Sequence, residues 1–233
     1  MLCTLRTHQS PGEWQHSLPA CSLALAGRDF HPLDFFKWFP PPSLLVPPPP
    51  RFSQRDRPGR YIQQNAGVVF VPTEHEGNTY ESEEEAEIIT QIVGELTGQF
   101  FIEADKPERL LTLDDILVVT PYNLQVRKLT ERLPGIRVGT VDKFQGQEAI
   151  VVIYSMCASS GDASPRGIEF LFSKNRLNVA ISRAQTLAIV VGNRSLAHTR
   201  CTTLGQMQLV NVFCRAVEHS AVGSGTSRPF LRQ

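Results

Sequence analysis

From Ala66 onward the hydrophobic positions switch between two periods. "GVVFVP" (Gly67 to Pro72) is a short β-branched run with the character of a strand. "SEEEAEIITQIVGELTG" (Ser82 to Gly98) then sets Ile88, Ile89, Ile92, Val93 and Leu96 at helical spacing. It opens on Ser82 with Glu85 three residues later, which predicts a capping box in which each side chain serves the other residue's backbone amide. The alternation continues through "DILVVTP" (strand), "YNLQVRKLTERL" (helix), "IRVGTV" and "AIVVIYS" (strands), "FLFSKNRLNVAISRA" (helix) and "TLAIVVGN" (strand). "GQMQLVNVFCRAVEHS" closes it as an amphipathic helix. Nearly continuous apolar strands separated by helices predict an α/β fold: a parallel sheet covered on both faces and joined by right-handed crossovers. The carboxyl ends of the strands are the expected functional edge, and the unusual polar loops are expected to gather there.

Residues before Ala66 break this rhythm. "WFPPPSLLVPPPPRFSQRDRPGR" (Trp38 to Arg60) is proline-rich without helical or strand period, so the pattern predicts a disordered leader over 1–65, a folded domain over 66–220 and a flexible tail over 221–233. The formal net charge is zero, with 23 basic and 23 acidic residues, so any polyanion partner must be met by a local patch rather than a global field. Cys3, Cys21, Cys157, Cys201 and Cys214 are scattered and odd in number, which supports neither a disulfide framework nor a zinc site and points to a reducing, cytoplasmic compartment. No apolar run reaches the roughly 18 to 20 residues of a membrane span, so no membrane partner is expected.

Three polar segments carry the candidate chemistry. In "VTPYNLQV" (Val119 to Val126), Tyr122 and Gln125 stand at the end of a buried strand and the first turn of the next helix, where free amides suit an anion and an aromatic ring can stack on a base. Taken alone, this segment reads more simply as an ordinary helix start after Pro121. In "VGTVDKFQGQE" (Val138 to Glu148), Gly139 and Thr140 would let backbone approach a phosphate and Lys143 adds charge. Gly146 permits a positive φ, and Gln147 and Glu148 supply groups for ribose hydroxyls or phosphate-bound water. Phe144 in so polar a loop needs burial and should pin it to the core. In "NRLNVAISRAQ" (Asn175 to Gln185), Asn175, Asn178 and Ser182 share a helical side, and Arg183 offers a five-donor fork to phosphate oxygens or, alternatively, a charge to the helix end.

Taken together and in this order, "TPYNLQV", "GTVDKFQGQE" and "LNVAISRAQ" resemble motifs IV, V and VI of superfamily 1 helicases. The nearest branch contains the nonsense-mediated-decay helicase and bacterial relatives with RecB-like nuclease fusions. The resemblance covers roughly residues 66 to 219 and implies the second of two RecA-like domains of P-loop NTPase type, which clamp ATP and carry single-stranded DNA or RNA. It implies that Arg183 is the arginine that reaches the γ-phosphate. Gly146, Gln147 and Glu148 would contact the nucleotide, with Tyr122 and Gln125 more loosely beside it. Thr140, Asp142, Lys143 and Asn178 would contact the strand.

The departure from that family is as informative as the match. The sequence has no Gly-x-x-x-x-Gly-Lys-Ser/Thr phosphate loop and no strand followed by the Asp-Glu pair that holds Mg2+. The resemblance implies that these belong to an N-terminal RecA-like partner domain, encoded upstream or lost, and that this chain alone neither hydrolyses ATP nor unwinds a duplex. A truncated or frame-shifted gene product fits this reading. The alternative is a non-enzymatic remnant that binds single strands or nucleotide. An α/β-hydrolase is disfavoured by the lack of a Gly-x-Ser-x-Gly elbow.

Overall fold

The computed structural model describes residues 51–52, 59–103, 107–144, 146–161, 164 and 166–223. Most of the expected leader (1–50 and 53–58), residues 224–233 of the expected tail, and Gln145 lie outside the described residues. Five strands form one parallel sheet: β2 (Gly67–Pro72), β5 (Ile116–Val119), β6 (Arg137–Gly139), β7 (Ala149–Ser155) and β8 (Ala184–Gly192), in the order β2-β8-β7-β5-β6. The predicted α/β class and its parallel sheet are both found. Strand residues are buried on both sides, as the uninterrupted β-branched runs require.

Alternate strand residues serve two cores. Val69, Val71, Ile116, Val118, Val151, Ile153, Leu187, Ile189 and Val191 pack with Ile89, Ile92 and Leu96 of α1 (Glu83–Leu96) and Leu129 of α2 (Asn123–Arg132). Phe70, on the other side of β2, meets Phe213 of α5 (Leu204–Gly223), which also packs against Phe172. The single helix predicted from Phe170 to Ala184 is divided into α3 (Ile168–Leu171) and α4 (Lys174–Ser182). Burial of the Phe172 ring among aromatic neighbours accompanies the break.

A second, antiparallel sheet was not evident in the sequence pattern. It consists of β1 (Arg51–Phe52), β3 (Phe100–Ile102) and β4 (Arg109–Leu110). Phe52 and Phe101 meet edge to face at 6.1 Å and join the α1 side of the core, as does Ile62. Folded structure therefore starts before the boundary expected near residue 65, because Phe52 and Ile62 provide apolar surface that the core buries.

The capping box at α1 is only half formed. The Ser82 hydroxyl accepts from the Glu85 amide at 3.1 Å, as predicted. The Glu85 side chain does not return the bond. Its carboxylate, fully buried, accepts from Ser155 Oγ at 2.6 Å and the Cys157 amide at 2.9 Å, and meets His75 Nε2 at 3.1 Å. Gln125 takes over at Ser82: its Oε1 accepts from the Ser82 amide at 2.8 Å, while Nε2 donates to Ser82 O and Ser155 Oγ. His75 Nδ1 lies 2.7 Å from Ser159 Oγ, which also accepts from the Asn78 amide. This junction joins the segment after β2, the start of α1, the start of α2 and the end of β7.

Gly139, at the end of β6, has a packing role. A Cβ there would lie 2.7 Å from both Phe144 Cε2 and Lys143 Cδ, so the missing side chain makes room for the ring that pins the following loop. Phe144 is buried, as its place in a polar loop predicts.

Two substitutions test these contacts by urea unfolding. Glu85→Ala strands at least three buried polar groups at about 1–3 kcal/mol each and is expected to cost about 3 kcal/mol or more. A loss below about 1 kcal/mol would show that the junction is not structural. Gly139→Ala overpacks Phe144 and is expected to cost about 1–3 kcal/mol. Unchanged stability would mean that the ring relaxes freely.

Candidate functional site

Because all five strands run the same way, the sheet has a carboxyl edge and an amino edge. The predicted site residues divide between them. The expectation that the three polar segments share the carboxyl edge is therefore corrected. A connection between parallel strands must carry the chain back across the sheet, and Val138 to Glu148 is such a connection, from the end of β6 to the start of β7.

At the carboxyl edge a cleft of about 380 Å³ is lined by residues that follow four different strands. Tyr80 comes after β2, Thr120 to Leu124 after β5, Thr140 to Asp142 after β6, and Arg166 and Phe170 after β7, with Arg176 of α4 closing the wall. Tyr122 is buried; its ring lies 5.3 Å from those of both Tyr80 and Phe170, and its hydroxyl is 2.9 Å from Ser164 Oγ. Burial pushes its pKa up, with the Ser164 hydrogen bond opposing. Asp142 is exposed and faces Arg176 Nη2 at 3.7 Å. Lys143 is engaged locally, its Nζ donating to Val138 O at 3.2 Å.

The amino edge holds the other group. Gly146 adopts φ +78°, the left-handed conformation for which glycine was expected, with open space where a Cβ would stand. Gln147 and Glu148 are exposed, and Glu148 accepts from Gln185 Nε2 at 3.1 Å. Arg183 sits between α4 and β8. Its carbonyl accepts from the Ala149 amide at 3.0 Å, and its Nη1 donates to Phe144 O, tying the end of α4 to the β6–β7 connection. Arg183 Nε is enclosed without a hydrogen-bond partner.

Asn178 is exposed on α4, which lies between the two groups in the chain. Gln125 is placed differently from its expected position beside a nucleotide. It is 0% exposed, and both of its polar atoms are used in the Glu85 junction, so it holds α2 in place rather than facing a ligand. Tyr80, Arg166, Phe170 and Arg176 line the cleft but were not singled out in the sequence. The available signal was arginine interleaved with aromatics in "RGIEFLFSKNR". Among the described residues no cluster of three or more His, Cys, Asp or Glu could hold a metal, and no helix is long and apolar enough to cross a membrane.

Comparison with known proteins follows the same outline. The family model described as "AAA domain" matches residues 53–195, more than half of the chain. The chain is 38% identical over 104 residues to the uncharacterized ATP-dependent helicase C05C10.2 of Caenorhabditis elegans, covering 44% of this chain and 6% of that protein. It is 41% identical over 91 residues to RNA helicase Mov10l1 of Homo sapiens, covering 36% and 8%. With DNA polymerase alpha-associated DNA helicase A of Schizosaccharomyces pombe it shares 44% identity over 87 residues, covering 36% and 13%. The matches thus span only a small part of each relative. The parallel sheet, the AAA-domain match and these helicase relatives place the chain in the AAA domain family, as a RecA-like C-terminal domain of superfamily 1 helicase type.

Proposed function

We propose that this domain supplies the second half of an ATP-dependent helicase motor, with its amino edge turned to the nucleotide and its carboxyl edge to a single strand of DNA or RNA. The observation that carries this reading is the connection from Thr140 to Glu148. It begins at the cleft, ends beside Gly146 and Glu148, and is bonded midway to Arg183 through the Phe144 carbonyl. One connection thus meets both groups, which is what coupling of strand grip to nucleotide state requires.

In this reading Arg183 reaches the γ-phosphate of ATP. A guanidinium suits phosphate oxygens, and the Nη1 bond to Phe144 O holds this one against the β6–β7 connection. Gly146 allows close backbone approach, while Gln147 and Glu148 present polar groups toward the ribose or phosphate side. The chemistry asked of Arg183 is stabilisation of the charge that develops on the transferring phosphoryl oxygens. Thr140 would meet the strand in the cleft, Lys143 and Asn178 would add contacts outside it once Lys143 leaves Val138 O, and Tyr122 supports the cleft wall. Mg2+ and the phosphate cradle would come from an N-terminal RecA-like partner domain, since the sequence has no phosphate loop.

The test has two arms. The purified 233-residue chain is expected to show no ATP hydrolysis above background, with or without single strands; turnover abolished by Arg183→Ala would contradict the proposed inactivity. Grafted into the fission-yeast DNA helicase A in place of its matching segment, the domain should support hydrolysis, with Arg183→Ala lowering kcat by on the order of 10³. A functional graft indifferent to Arg183→Ala would sink the assignment. A graft without activity, from a chain that still binds oligonucleotides, would favour the binding-remnant reading.

A further inference from the structure

The aromatic wall of the carboxyl-edge cleft carries two guanidinium groups on one ring. Arg176 lies 4.0 Å from the Phe170 ring centroid and Arg166 lies 4.7 Å from it. The ring restrains each planar group by stacking and cation–π attraction, so little conformational freedom remains to be lost on binding an anion. Arg176 is nevertheless short of partners. Among the described residues its Nη1 has no hydrogen-bond partner, and its Nη2 faces Asp142, whose side chain is 77% exposed, at 3.7 Å. A pair so long and so open to water is weak. Tyr154 Oη, on β7, is also enclosed without a hydrogen-bond partner among the described residues, and the positive charge of Arg176 acts on it.

A guanidinium braced on an aromatic ring, with its Nη2 facing an exposed carboxylate across the cleft, has the chemistry of a phosphodiester contact. We propose that Arg176, braced on Phe170, binds a backbone phosphate of a single strand, and that Asp142 competes with that phosphate for the same guanidinium. The inference rests on the reading of the carboxyl edge as the strand-binding face. It also changes the role of Asp142. Motif resemblance makes Asp142 a strand contact, whereas here it opposes binding until a phosphate displaces it. The two residues should therefore act with opposite sign.

The experiment is fluorescence anisotropy of the full chain with labelled oligo(dT) and oligo(U) over a range of salt concentrations, with a labelled ATP analogue as a separate arm. Arg176→Gln should weaken oligonucleotide binding about tenfold and flatten the log–log salt slope by about 0.7, the share of one single-strand phosphate. Asp142→Asn, at an exposed position that does not threaten folding, should tighten binding several-fold. In the double variant the gain should vanish, because the competitor matters only while Arg176 is present.

Arg176→Gln with unchanged affinity and slope overturns the proposal, as does weaker binding by Asp142→Asn. Loss of the ATP analogue with oligonucleotide binding intact would assign Arg176 to nucleotide phosphate instead and also overturn it. Failure of the unmodified chain to bind either oligonucleotide removes the strand-binding reading and this inference together, whereas failure of Arg176→Gln alone removes only the inference.

Discussion

Parallel strand pairing constrains everything else in this domain. Each strand pairs with its neighbours in the same direction, so each connection has to return across the sheet before the next strand can start. Most connections do so with a helix. The β6–β7 connection does so without an α-helix, with one 3-10 turn, Val141–Phe144, and a turn at Gly146. Its brevity leaves a polar segment with one end in the cleft and the other beside Arg183. The missing Cβ of Gly139 lets Phe144 fold back and hold the segment against the sheet.

The junction centred on Glu85 performs a related task at the carboxyl edge. A carboxyl group with no exposure is costly unless its oxygens are hydrogen-bonded, and the bonds from Ser155 and the Cys157 amide, with His75 alongside, meet that requirement. Because those partners come from separate segments, satisfying one buried carboxyl group fixes several loops relative to one another. Gln125 extends the arrangement to α2 through Ser82 and Ser155. Burial pushes the neighbouring Cys157 thiol well up, with the Glu85 charge adding to the effect, which keeps it a thiol in the interior. The cleft wall is thereby fixed by buried polar bonds as well as by apolar packing.

Several readings made from the chain alone succeeded for local reasons. The principal strands and helices follow from hydrophobic period, Phe144 had to be buried, and Gly146 takes the positive φ that its loop suggested. Others failed where a distant residue intervened. Glu85 has the spacing of a capping box, yet its side chain goes to Ser155 and Cys157, some seventy residues on. Gln125 has the look of a ligand contact, and Ser82 takes it inward. Phe52 sits next to a proline-rich stretch that hid its role, which depends on Phe101.

The sequence by itself determined the α/β class, the order of the parallel strands and principal helices, and which short segments hold unusual polar chemistry, because these depend on period, turn residues and local composition. Only the tertiary structure decided that those segments divide between two sheet edges, that Gln125 is spent in the interior, and that Arg166, Phe170 and Arg176 come together beside Tyr122. The reason is physical: strand direction and long-range hydrogen bonds set which way each loop faces, and neither leaves a local signature in the residues that form the loop.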